Sequence, residues 1–99
     1  MRLTHEQRRV IRESAAEVFG RDAKVLLFGS RLDDEKKGGD IDLLVACAEP
    51  PDEPGLAAAR MSAKIQARIG ERKIDVLLSW PGSRRSAAHS AALARGVEL

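Results

Sequence analysis

The chain has no tyrosine, two phenylalanines and one tryptophan in 99 residues. A core must therefore come from Leu, Ile, Val and many Ala, and it is expected to be thin. A thin core in a chain of this length favours stabilisation by homo-oligomerisation or by a partner. Cys47 is the sole cysteine, which excludes an internal disulfide and suits a reducing compartment. A buried strand-end thiol is the expected role of Cys47. No apolar run approaches the ~20 residues that span a bilayer. The opening Met1-Arg2-Leu3-Thr4-His5-Glu6 has no signal-peptide core. These absences imply a cytoplasmic protein without membrane contact. An excess of one charge is also missing: 17 basic residues stand against 15 acidic ones, interspersed, for a net +2. That is not the balance of a dedicated nucleic-acid binder. Repeats and low-complexity tracts are absent as well, and residues 1–99 are read as one domain.

What is present alternates between helical and strand-like patterns. Thr4 opens a capping box with Gln7. Leu3, Gln7, Val10, Ile11, Ala15, Val18 and Phe19 then follow helical spacing up to Gly20. Val25 to Phe28 reads as a first strand, Ser30 to about Asp34 as a short helix, and Ile41 to Ala46 as a second strand. Glu49-Pro50-Pro51-Asp52-Glu53-Pro54-Gly55 breaks structure. From Leu56 to Ile69 two patterns compete. Met61, Ala63, Ile65, Ala67 and Ile69 alternate as a strand would, but length and the helix propensity of Ala, Arg, Lys and Gln predict a helix. Lys73 to Leu78 is a third strand, Trp80-Pro81-Gly82 a turn, and Ser83 to about Arg95 a last helix capped by Ser83. Val97 to Leu99 adds a short final strand. The order predicts an α/β (α+β) fold, with a small mixed β-sheet of three to four strands flanked by helices. His5 and His89 read as surface residues, and Trp80 as cover for the edge of the core.

The chemistry concentrates between Leu26 and Val45. In a strand, Asp40 and Asp42 point to one face, while Ile41, Leu43 and Val45 point to the other. Two like charges beside an apolar surface repel each other and resist desolvation. A divalent cation relieves both, and carboxylate oxygens are the ligands Mg2+ prefers. Asp75, in the next strand-like run, is placed to supply a third carboxylate; an Asp at an exposed strand edge is the plainer alternative. Gly29 ends the first strand where backbone can approach a ligand closely. Ser30 adds a hydroxyl and an amide at a helix start, a natural phosphate position. Arg31 fits either a phosphate contact or a solvated loop arginine. Lys36 and Lys37 read as solvated. The bland reading of Gly38-Gly39-Asp40 as a mere turn does not account for the whole arrangement of strand, Gly-Ser, polar loop, Asp-x-Asp and a third in-strand Asp.

That arrangement resembles the DNA polymerase beta-type nucleotidyltransferase superfamily, and the short chain resembles its minimal nucleotidyltransferase branch. The nine residues between Ser30 and Asp40 lie within the range the superfamily tolerates and are slightly fewer than is usual in that branch. The resemblance implies transfer of a nucleoside monophosphate, with ATP as the nucleoside triphosphate and two Mg2+ ions held by Asp40, Asp42 and Asp75. Gly29, Ser30 and Arg31 would bind the nucleotide's phosphates. It further implies a small helical partner protein, with the chain acting as the antitoxin of a toxin–antitoxin pair by modifying a tyrosine hydroxyl of that partner. A non-catalytic subunit that neutralises its partner by occlusion is the competing reading. Transfer to a small molecule such as an aminoglycoside is a weaker one, because enzymes of that kind carry an extra domain.

Overall fold

Thr4 and Gln7 close the predicted box reciprocally. The Gln7 amide donates to Thr4 Oγ1 at 3.0 Å, and the Thr4 amide donates to Gln7 Oε1 at 3.0 Å. Helix α1 follows over His5–Phe19 and stops at Gly20, whose φ is +93°. The structure, a computed structural model, describes residues 3–29, 40–70 and 72–99. The short helix expected after Ser30, and with it Ser30, Arg31, Lys36 and Lys37, lies outside the described residues.

The remaining elements are β1 (Lys24–Phe28), β2 (Ile41–Ala46), α2 (Pro54–Ile69), β3 (Ile74–Ser79), α3 (Ala87–Arg95) and β4 (Val97–Glu98). Four strands form one mixed sheet in the order β3-β2-β1-β4. β1 is antiparallel to β2 and β4, and β2 is parallel to β3. The parallel pair needs a long crossover, which α2 provides. Pro54 begins α2, where its missing N–H costs nothing.

Alternation sorts the strand residues onto two faces. Val25 and Leu27 of β1, Ile41, Leu43 and Val45 of β2, and Ile74 of β3 pack against Val10, Ile11 and Ala15 of α1 and Met61 and Ile65 of α2. Burial at 61 and 65, with Ala63 and Ala67 exposed, settles the competition in that segment: the spacing of four decides, not the alternation. Across the crevice between the two helices, Glu17 accepts from Arg68 Nη2 at 3.0 Å and pairs with Lys64 at 3.1 Å. These two cations, Arg68 first, hold the Glu17 carboxyl below its usual range.

The opposite face carries Leu26, Asp42, Leu44, Asp75 and Leu77, and α3 covers part of it. Leu44 and Ala92 are fully buried. Helix α3 begins later than predicted, and Ser86 rather than Ser83 is its cap. Ser83 is already engaged: its Oγ accepts from the Trp80 amide at 3.0 Å, and its own amide donates to the Trp80 carbonyl at 2.9 Å. That turn needs Gly82 at φ +87°. His89 is not simply a surface residue. Its Nδ1 accepts from the Ser86 amide at 3.1 Å, which leaves Nε2–H to donate to the Leu78 carbonyl at 2.9 Å. One imidazole thus caps α3 and ties it to the outer edge of β3. Cys47, just past β2, is half-buried, and burial pushes its thiol pKa up. No helix among the described residues is long and apolar enough to cross a membrane.

Candidate active site

Three strands meet at one level of the sheet. Asp42 of β2 stands opposite Phe28 of β1 on one side and Asp75 of β3 on the other. Equal register in a parallel pair puts both carboxylates on the same face, so the sheet itself creates the juxtaposition. It is secured from below and behind. The Ile41 amide donates to the Lys73 carbonyl at 2.9 Å. Ser62 Oγ of α2 donates to the Ile74 carbonyl at 3.2 Å, and Gln66 Nε2 donates to the Arg72 carbonyl at 2.6 Å. Helix α2 therefore anchors the start of β3, and with it the position of Asp75.

The electrostatics follow from that placement. The Asp42 carboxyl is half-buried and its pKa is raised. Burial is the largest cause, followed by the charges of Asp75 and Asp40, and then by a hydrogen bond with Asp75 that favours the protonated form. Lys73 works against these effects. Its Nζ lies 3.9 Å from Asp75 Oδ2, with the Asp75 side chain 51% exposed. Asp40 is exposed just before β2, and its charge acts on Asp42.

Gly29 closes the site from the β1 side. Its φ is +80°, and a Cβ built there would run into Asp42 Oδ2. Glycine is thus required twice over, by its backbone conformation and by the carboxylate beside it. The structure brings together Gly29, Asp42 and Asp75, with Asp40 at the rim. Among the described residues, no three His, Cys, Asp or Glu side chains stand close enough together to hold a metal ion. The donor set still suits a divalent cation: it is all carboxylate oxygen, and its central member is held in a conformation that disfavours its own charge. Ser30 and Arg31 lie outside the described residues.

Lys73 was the residue missed from sequence. Its signal was present, since a side chain two positions before Asp75 in a strand shares its face. Ser62 and Gln66 carried no such signal, because a side-chain bond to a carbonyl twelve or six residues away depends on the packed fold.

A family model described as nucleotidyltransferase domain matches residues 8–90, a span that contains Gly29, Asp40, Asp42 and Asp75. No curated protein matches the chain significantly.

Proposed function

Because this chain belongs to the nucleotidyltransferase domain family, we propose that it transfers a nucleoside monophosphate, AMP from ATP, to a hydroxyl of a partner protein, with Asp40, Asp42 and Asp75 as the acidic set. The observation that carries this reading is the pairing of Asp42 with Asp75 at one register of β2 and β3, under a glycine that leaves room for nothing larger. Nucleotidyl transfer and a nucleotide substrate follow from the family; the protein acceptor, ATP and Mg2+ are the finer proposal.

Asp42, at the centre, would bind both Mg2+ ions together with Asp40, and Asp75 would bind the one nearer the acceptor. When bound, such a pair neutralises charge on the attacking and leaving oxygens of an in-line displacement. Gly29 and Ser30 would present backbone amides and a hydroxyl to the β and γ phosphates, with Arg31 beside them. The acceptor oxygen forms a bond to the α phosphorus, the bond to the bridging oxygen breaks, and pyrophosphate leaves. Asp75, the more exposed of the strand pair, would take the acceptor's proton. Positioning and charge neutralisation supply most of the catalysis, so few residues suffice.

The macromolecular acceptor is motivated by the resemblance of the Gly29-Ser30 and Asp40-x-Asp42 arrangement to the minimal nucleotidyltransferase branch. In this reading the chain is an antitoxin, and its acceptor is a tyrosine of a small helical toxin. Purified chain, partner and ATP labelled at the α phosphate should give Mg2+-dependent labelling of the partner. Asp42→Ala should reduce it on the order of 10²-fold or more; undiminished labelling by that variant would reject the assignment. A second reading, a non-catalytic subunit that neutralises by occlusion, is motivated by Leu93 of α3 and Val97 of β4, which are 40% and 41% exposed. Full neutralisation of the partner by the Asp40→Ala, Asp42→Ala double variant would favour it.

A further inference from the structure

A site that gathers carboxylates must survive without its cation, and this one carries a substitute just before the strand that bears Asp75. Lys73 precedes β3 by one residue and Asp75 by two, so its side chain leaves the backbone on the Asp75 side of the sheet. Its Nζ stands 3.9 Å from Asp75 Oδ2. Its backbone is fixed, because the Lys73 carbonyl accepts the Ile41 amide at 2.9 Å. The side chain itself is 67% exposed, so it can leave Asp75 without disturbing the core.

We propose that Lys73 is a built-in counter-ion for the carboxylate pair, occupying Asp75 until a divalent cation displaces it and thereby lowering the site's affinity for that cation. This rests on the reading of Asp40, Asp42 and Asp75 as metal ligands. An ammonium beside the ligands attracts the bare carboxylates and repels an incoming dication, so it acts in opposite directions on the two states. A free site is held together and a loaded one is made less tight. Metal would then load most readily with nucleotide phosphates, whose negative charge compensates the ammonium.

The test is a thermal-shift titration of the purified chain with MgCl2 and with MnCl2 at low ionic strength, after treatment with chelator. Lys73→Gln should lower the half-saturating metal concentration by about three- to tenfold, with the difference shrinking as salt is raised. Lys73→Arg, which keeps the charge, should restore the wild-type midpoint. Lys24→Gln removes an equal charge at the far end of β1 and should leave the midpoint unchanged. An unaltered midpoint in Lys73→Gln, or an equal shift in Lys24→Gln, overturns the role of Lys73 while leaving the metal site standing. A wild-type chain that shows no saturable shift with either ion, matching Asp42→Asn, overturns the metal site and the counter-ion together.

Discussion

The surroundings of Asp42 work against its own charge. Its carboxyl is half-buried, faces two other acids and titrates above the usual range. The folded chain therefore holds the Asp42 proton more tightly than the unfolded chain does. Below the ordinary carboxylate pKa the group is neutral in both states and costs nothing. As pH rises past that value, the unfolded chain ionises first and folded stability falls, until Asp42 itself has ionised. Above its raised folded-state pKa the full penalty applies. In chelator, Asp42→Asn should therefore melt at a higher temperature than wild type at pH 7. The gap should close as pH is lowered below the ordinary carboxylate range; a gap constant with pH would remove the electrostatic explanation. Taking the difference between the two proteins cancels titrating groups that do not interact with Asp42, including Glu17, whose lowered pKa acts in the opposite sense. That Asp42 and Asp75 share a face of the sheet and that Gly29 ends β1 was legible in the sequence, because strand parity and glycine's backbone freedom are local properties. The clash of a Cβ at 29 with Asp42 was not legible, since it depends on how β1 and β2 are paired.

Elements were legible wherever their ends are marked by side chains acting within one turn. The Thr4–Gln7 box and Gly20 gave α1, and strand alternation gave β2 residue for residue. The start of α3 was misjudged because two serines compete for the same task. Ser83 is taken by the Trp80 turn, and Ser86 is completed by a histidine where a Glu or Gln is the usual partner. Ser86→Ala should accordingly cost about 1 kcal/mol in equilibrium denaturation, whereas Ser83→Ala should act on the turn and leave the helical circular dichroism signal intact. Equal effects of the two on helicity would mean that α3 extends back to Ser83 in solution.

Taken whole, the molecule is held by aliphatic packing on one face and by the Glu17, Lys64 and Arg68 charges between α1 and α2 at the surface. Such exposed pairs contribute little singly, which leaves the sheet and its aliphatic face as the main source of stability. The acids are divided along the chain. Gly29, Asp40 and Asp42 precede the proline-containing segment at 49–53, and Asp75 follows it; that segment is largely exposed and lies at the end of β2 away from Asp42. A break there need not touch the carboxylates. It would, however, separate β2 from α2 and β3, which meet it only through the sheet ladder and the shared core. Fragments 1–51 and 52–99 should each be inert alone and should recover nucleotidyl transfer when mixed or co-expressed; activity in either fragment by itself would refute the division. If the halves do reunite, the crossover would make the chain divisible, and the reunion of two silent fragments could be put under the control of any pair of fused domains, with product as the record of their meeting.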